Sequence, residues 1–329
     1  MSVTIKSVAK LAGVSIATVS RVQNGVGTVA PATRKKVLSA IQQLNYVPNR
    51  VGQALQGRRH AALGIVFPDF SGPYYSGVML GFENQAVTAG YSVLVLATHR
   101  RPESTRLITE LSSRVDGMVI MDRTVENQTI SAIAKSDLPI VLLARPSLSD
   151  IPSIQSENEE AARQLMYHLI TVHGYRKFTF LGDPQFSFDV TERFAVVNKV
   201  AVEFHLPQIK LIPCGYRQQD GYYATQKLCA TTLPQCLICA NDEIAFGAYQ
   251  ALREQNLHIP SDIAVTGWDD IPTSDLIAPP LTSVQQPTQK LGDLAAVELI
   301  QMIENSTTRA TNILLPSSLV LRHSCGCGE

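Results

Sequence analysis

Thr4-Ile-Lys-Ser-Val-Ala-Lys-Leu-Ala-Gly-Val-Ser-Ile-Ala-Thr-Val-Ser-Arg21 decides how this chain of 329 residues starts to fold. Behind Thr4, apolar residues at 5, 8, 9, 11 and 12 make a helical stripe, and Gly13 ends it. Ser15 is placed to cap a second helix, Ile16–Val22, because its hydroxyl can accept one of the amide N–H groups left over in a first turn. Two short helices joined by a glycine-containing turn form a helix-turn-helix unit. Val8, Ala9, Val14, Val19 and Val22 are its packing set, with Ala9 small enough for the helices to approach. That leaves Ile16, Ala17, Ser20 and Arg21 facing outward. Any small helical hairpin shares this spacing, but Ala17 and Thr18 permit the close approach that entry into a major groove needs. Ser20 and Arg21 can reach phosphates or base edges.

Asn24-Gly25 closes the second helix, and a third is predicted over about Ala32–Leu44 with Val37, Leu38, Ile41 and Leu44 as its core stripe. Pro48 disfavours helical geometry at Val47 and stops it. The segment Asn49-Arg-Val-Gly-Gln-Ala-Leu55 is too short to hold a helix alone, so it is expected to be a linker that folds only when held. Leu55, apolar and flanked by Arg50, Arg58 and Arg59, suits a wedge in a minor groove.

Charge is distributed with the same logic. Residues 1–60 carry nine bases (Lys6, Lys10, Arg21, Arg34, Lys35, Lys36, Arg50, Arg58, Arg59) and no acid. With 28 bases and 28 acids in the whole chain, residues 61–329 hold 19 bases against 28 acids, a net of minus nine. A basic head on an acidic body is the asymmetry of a protein whose one end meets a polyanion. Hydrophobic residues at 45% and charged residues at 17% suit globular domains, and the length favours more than one. No apolar run approaches a membrane span and the first residues contain no apolar signal core, so a cytoplasmic protein is expected. Six cysteines in a chain of this length make no disulfide framework. Cys236-x-x-Cys239 lies in an apolar run and reads as buried strand. Cys325-x-Cys327 could bind metal or oxidise, but a frayed terminus is the expectation there. No metal and no cofactor is assigned.

Beyond His60 the pattern becomes strand, loop, helix, repeated. Ala61–Phe67, Tyr91–Ala97, Gly117–Met121 and Pro139–Leu143 are near-continuous apolar runs, as in parallel strands buried on both faces. A second series follows at 178–181, 210–213, 237–239 and 263–266, which predicts an α/β body of two doubly wound parallel-sheet units with a cleft between them. Ligand sites in open α/β sheets lie just after strands. The candidates there are Asp69 to Tyr75, Asp183 to Arg193, Tyr216, Asn241-Asp242 and Trp268-Asp-Asp270.

The head closely resembles the lactose and galactose repressor family of bacterial transcription regulators. The quoted stretch, Asn24, and Leu44-Asn-Tyr-Val-Pro-Asn-Arg50 carry the likeness, which continues through the body to about His323. The resemblance implies an all-α helix-turn-helix head (1–48), a hinge helix and linker (49–59), and a periplasmic-binding-protein-like sensor and dimerisation body (60–329). In that body the chain crosses near 155–162 and 285–293, which gives an N-subdomain of about 60–158 plus 291–323 and a C-subdomain of about 159–290. It also implies that Ile16 and Ala17 read bases. Thr4, Ser15, Thr18, Ser20, Arg21 and Asn24 would anchor backbone or shape the unit. Residues Asn49, Arg50, Gly52 and Leu55 would belong to the hinge on an approximately palindromic operator. In the body, Arg193 would grip the effector, Asn241 would be the strand-end asparagine, Asp269 would bind hydroxyls and Tyr216 would form an aromatic platform. Tyr74, Tyr75 or Trp268 could stack on a sugar face, with a packing role the equal alternative for Trp268. A homodimer bound to double-stranded DNA and to a small polar, sugar-like effector is the implied assembly.

Five departures stand out. Ala30 replaces a capping serine at the third helix, and Gly52 replaces an alanine in the hinge. Ala144 occupies a position that often supplies a ligand-binding aspartate, Val196-Val197 replaces a Gly-aromatic pair, and Glu157-Asn-Glu159 replaces Asp-Asn-Glu before the crossover helix. An atypical or lost effector, an activator and a corepressor-dependent regulator remain open within the same fold. No dinucleotide fingerprint, P-loop or nucleophile elbow supports an enzyme, and a solute-binding protein is disfavoured by the basic head. The nine uncompensated charges predict strong counterion release. The logarithm of DNA affinity, titrated from low to physiological salt, is expected to fall linearly and steeply with the logarithm of salt concentration. A flat line would contradict the charge reading.

Overall fold

The computed structural model describes residues 3–24, 27–46, 60–70, 72–305 and 312–328. They fall into two units, Met1–His60 and Ala61–Glu329. The hinge reading at Asn49, Arg50, Gly52 and Leu55 lies outside the described residues.

The first unit has α1 (Ile5–Ala12), α2 (Ile16–Asn24) and α3 (Pro31–Gln43). Gly13 ends α1 in the left-handed region at φ 66°, a conformation that costs glycine nothing. Ser15 Oγ accepts from Thr18 N at 3.1 Å and caps α2. Ala30 offers α3 no side-chain cap, and Pro31 stands at its first turn, where a missing N–H goes unused. Val8, Ala9, Val19, Val22, Val37 and Ala40 form the small core. Leu38, expected in the core stripe, is half exposed. The buried face of α3 runs through Val37, Ala40, Ile41 and Leu44, and Leu38 lies one residue, about 100°, round the helix from it.

The second unit begins with β1 (Ala62–Phe67), α4 (Pro73–Thr88), β2 (Ser92–Ala97), α5 (Ser104–Ser112), β3 (Gly117–Ile120), α6 (Asn127–Ala134), β4 (Ile140–Leu143) and β5 (Ser153–Ser156). The chain then crosses to α7 (Glu159–Thr171), β6 (Phe178–Leu181), α8 (Phe188–Glu203), β7 (Lys210–Ile212), α9 (Gln218–Cys229), β8 (Cys236–Cys239), α10 (Asp242–Glu254) and β9 (Ala264–Thr266). After β10 (Ser283–Gln285) it returns through α11 (Thr288–Asn305) to β11 (Asn312–Leu315), then ends in β12 (Ser318–Val320). Six strands ordered β11-β5-β4-β3-β1-β2 make one parallel sheet, and β7-β6-β8-β9 make a second. Each sheet with its helices is a lobe with its own apolar core.

Three expectations need correction. β2 was read as buried on both faces, yet it is an edge strand with Leu94 and Val95 exposed. The segment 291–323 was assigned to the first lobe, but the chain leaves that lobe after Leu315. β12 pairs antiparallel with β10, and the tail beyond it packs into the second lobe's core through Cys325. This makes a third crossing, besides those at 157–158 and 286–287. The tail is therefore not frayed. Ser324 Oγ accepts from Thr282 N at 2.8 Å and donates to Val265 O at 2.6 Å.

In the first lobe α4 and α11 meet backbone to backbone. A Cβ on Gly292 would lie 1.9 Å from Val78 O, and one on Gly81 would lie 2.0 Å from Gln289 O. The second lobe repeats the device: Gly221 and Gly247 bring α9 against α10. Because backbone carbonyls cannot swing aside, Gly292→Ala forces the helices apart. Urea unfolding is expected to show a loss of about 3 kcal/mol or more, at the upper end of overpacking costs. A loss below about 0.5 kcal/mol would contradict the close packing.

Candidate DNA-reading head and effector cleft

On α2, Ser15, Ile16, Ala17 and Arg21 are exposed, Thr18 and Ser20 are half buried, and Val19 and Val22 face the core. Ile16 is 44% exposed despite being a large aliphatic residue. Exposed apolar and small side chains at a helix start, with Arg21 further along, match what contact with base edges and thymine methyls requires. Thr4 is exposed at the start of α1, where its amide N–H donates to Ser7 Oγ at 3.4 Å. Asn24 closes α2.

In the body, the carboxyl ends of both sheets surround a cavity of about 510 Å³. Tyr74, Tyr75, Arg193, Tyr216, Asn241 and Asp269 all line it. Trp268 does not. It is buried, with Arg193 stacked over its ring at 4.3 Å, so it supports the site from beneath.

Arg193 is the centre of this arrangement. Its Nε donates to Asn158 Oδ1 at 2.8 Å, its Nη1 donates to Ala240 O at 3.0 Å, and its Nη2 lies 3.9 Å from Asp189 Oδ2. A guanidinium has five N–H donors, so some remain to face the cavity. Asn158, on the first crossing, also donates to Asp189 and Glu192 at 3.1 and 3.0 Å. Burial pushes the carboxyls of Asp189 and Glu192 above their ordinary values, opposed at Asp189 first by Arg193 and at Glu192 first by the Asn158 hydrogen bond.

Asp269 is half buried and sits at φ 108°, a region that costs a non-glycine residue about 1–3 kcal/mol. Its amide N–H donates to Val284 O at 2.8 Å, and its carboxylate accepts from Gln286 Nε2 at 2.6 Å. Burial raises its pKa well above the usual carboxylate range, with Arg193 the main opposing influence. The Tyr74 hydroxyl is buried and has no hydrogen-bond partner among the described residues. Asn241 is partly committed, because its Oδ1 caps α10 at Ile244 N and its Nδ2 donates to Tyr216 O. The Tyr216 hydroxyl donates to Asp183 O.

Asp242 and Asp270 are structural. Asp242 accepts from Ser274, Ser283 and Ile271 N, and Asp270 holds Arg322 at 2.6 Å. Of the departures, Val196 and Val197 lie in the second lobe's core and leave the cavity untouched. Ala144 does line it, and neighbouring Arg145 turns away to the carbonyls of Asp122 and Val125. Burial lowers the Arg145 pKa to about 10.

Sequence reading did not single out Arg100, Arg123, Arg217, Glu243 and Gln286, all of which line the cavity. Three of them follow β2, β3 and β7, so the strand-end rule would have found them. They also bridge the lobes. Arg123 Nη1 donates to Pro184 O and Ser187 O at 2.9 Å and to Thr191 Oγ1 at 2.6 Å. Arg100 stacks 3.5 Å over Phe186, and Arg217 pairs with Asp69 at 2.5 Å.

Comparison with known proteins agrees with this geometry. Residues 4–49 match the model of bacterial regulatory proteins of the lacI family, and residues 167–325 match a periplasmic binding protein-like domain. Catabolite control protein A of Priestia megaterium is 30% identical over 98% of this chain and 99% of its own. The chain belongs to the lacI family. A crystal structure of the lac repressor dimer bound to operator and the anti-inducer ONPF is similar over 99% of both chains, with a TM-score of 0.87 and 30% identity. The transcriptional regulator CelR in complex with cellobiose is similar over 98% of this chain and 99% of its own, at 0.73 and 27%. As a lacI-family member, the chain is a DNA-binding transcription regulator with a sensor body, not an enzyme. Among the described residues no helix is long and apolar enough to cross a membrane.

The inter-lobe ion pair is expected to contribute little. The Arg217 side chain is 58% exposed, and exposed pairs typically contribute about 0.2–1 kcal/mol. A double-mutant cycle of Asp69→Asn with Arg217→Gln should therefore give a coupling below about 1 kcal/mol. A coupling of several kcal/mol would mean that the pair acts as a latch.

Proposed function

We propose that this protein is a repressor whose operator affinity is set by a small polyhydroxylated effector held between the lobes. The observation that carries the reading is the cavity's balance of donors and acceptors: the donor-rich guanidinium of Arg193, the half-buried Asp269 carboxyl and the Tyr74 hydroxyl, which has no hydrogen-bond partner among the described residues. Such a set suits a neutral ligand rich in hydroxyls, which donates to Asp269 and accepts from Arg193. Phe186, Phe188 and Tyr216 supply apolar walls for the faces of a sugar ring. The cellobiose complex of a relative of this architecture supports the same class of ligand.

Two copies would act on an approximately palindromic operator in the bacterial cytoplasm. Ile16 and Ala17 would read bases in the major groove. Thr4, Ser15, Thr18, Ser20, Arg21 and Asn24 would position the head. Residues Asn49, Arg50, Gly52 and Leu55 would fold as hinge on DNA, with Leu55 inserted at the centre. The lac repressor dimer supports the two-fold assembly. Exposed apolar side chains on the first lobe, Leu80 and Val87 on α4 and Leu94 and Val95 on the edge strand β2, are compatible with a second copy covering part of that lobe. Effector binding would act through Arg193 on Asn158, which sits on the first crossing and so relates one lobe to the other.

The test is a thermal-shift survey of sugars, polyols and their phosphates, followed by operator titration with and without the hit. Asp269→Ala is expected to weaken the effector by about 10- to 100-fold, because unpaired buried hydroxyls cost roughly 1–3 kcal/mol each, while operator affinity without effector stays within about threefold. An unchanged effector affinity in the variant would remove Asp269 from the site, and a hit with no hydroxyls would overturn the ligand class.

A further inference from the structure

We propose that His168, His173, Cys325 and Cys327 form a four-ligand zinc site that fastens the C-terminal tail to the end of α7. The nearest ligand atoms of all four side chains lie within 4.8 Å of one another. His168 Nε2 is 3.1 Å from His173 Nε2 and 3.0 Å from Cys327 Sγ; Cys327 Sγ is 3.3 Å from His173 Nε2, and Cys325 Sγ is 3.9 Å from His168 Nε2. Tetrahedral zinc, with bonds of about 2.0–2.1 Å to nitrogen and about 2.3 Å to sulfur, sets its ligand atoms about 3.3–3.8 Å apart. Four of the six separations, 3.0 to 3.9 Å, straddle that range, and all six are within 4.8 Å, close enough for small side-chain adjustments to seat an ion.

The donor set is the argument for a cation. Two imidazole nitrogens and two sulfurs converge on one point, and at most a few protons can be shared among them, so several lone pairs face one another. A metal ion satisfies all four at once. Mixed thiolate and imidazole ligands in a tetrahedral array select zinc over the harder cations, and four protein ligands make a closed, structural site.

The surroundings are built around these ligands. Thr282 Oγ1 donates to Cys325 Sγ at 3.1 Å, the kind of outer hydrogen bond that supports a metal-bound thiolate. The Tyr175 ring stacks on His173 with centroids 5.5 Å apart, and its hydroxyl donates to Cys325 O at 3.1 Å. Gly326, at φ 103°, lets the tail turn between the two cysteines. A Cβ there would lie 3.1 Å from His173 Nδ1. Cys325 is fully buried, and the other three are half buried, so an ion can enter from the surface. The spacing departs from finger-like sites, since Cys-x-Cys is shorter than Cys-x2–4-Cys. The short spacer is accommodated by the turn at Gly326.

Full-length protein, purified under reductant and stripped of metal, is titrated with Zn²⁺ against a chromophoric chelator and with Co²⁺ followed by absorbance. The expected result is one ion per chain, with cobalt giving tetrahedral d–d bands and a sulfur-to-cobalt charge-transfer band. Cys327→Ser and His173→Asn should each lower zinc affinity by at least about 100-fold, and Thr282→Val by about 10-fold, the range for an outer-shell partner. Zinc should raise the Tm of the wild type and leave that of Cys327→Ser unmoved. Absence of stoichiometric binding, an octahedral cobalt spectrum, or unchanged affinity in a folded Cys327→Ser variant would each overturn the site. Should both ligand variants fail to fold, the cobalt spectrum of the wild type decides alone.

Discussion

The guanidinium of Arg193 is the interaction on which the sensor body turns. A buried cation left unpaired would cost several kcal/mol, so its surroundings must be shaped to hold it. Asn158 on the first crossing, the carbonyl of Ala240 at the end of β8, Asp189 one turn earlier on α8 and the face of Trp268 after β9 all converge on it. These groups come from four segments of the chain. The same side chain therefore fixes the second lobe's strand ends, reaches the crossing and presents its remaining donors to the cavity. In the proposed reading, effector binding and inter-lobe geometry are linked because one charge serves both.

Charge also explains why the cavity is polar without being strongly acidic or basic. Asp69, Asp189, Asp220, Glu243 and Asp269 line it together with Arg100, Arg123, Arg193 and Arg217. Near-balance of opposite charges is the reason the proposed effector is a neutral ligand with many hydroxyls, since the desolvation of a strongly charged one would go uncompensated. Backbone strain at Asp269 and the orphaned Tyr74 hydroxyl sit in the same place. Both are the kind of local cost that persists where a ligand later offsets it.

The two lobes reuse one packing solution. Each brings two helices to backbone contact through a pair of glycines, Gly81 with Gly292 and Gly221 with Gly247. In the first lobe this docks α11 onto α4, although more than 190 residues separate them, and so returns the chain to the sheet it had left. The return makes the lobes share three crossings, the arrangement that lets one lobe move on the other without either unfolding.

Much of this was legible in the sequence because it depends on neighbours within a few residues. The helix-turn-helix follows from the spacing of Val8, Ala9, Val19 and Val22, from the Ser15 cap and from Gly13. The interior strands follow from apolar runs, and the segments after strands contain all seven proposed cleft residues, of which six line the cavity; the family resemblance picked Arg193, Tyr216, Asn241 and Asp269 out of those segments. What remained hidden depends on which segments meet across the fold. Apolar content alone does not distinguish an edge strand from an interior one, so β2 looked buried until the strand order put it outermost. Trp268 was open between stacking and packing because an aromatic residue after a strand fits both roles equally well. Only the direction of Arg193 places it underneath. Cys325-x-Cys327 looked like a loose end, because nothing nearby in the chain holds it. His168 and His173 lie about 150 residues away, and only the pairing of β12 with β10 brings them together. Local propensity and periodicity act over a turn of helix or a pair of strand residues, whereas these contacts are decided by topology, to which short-range patterns carry no signal.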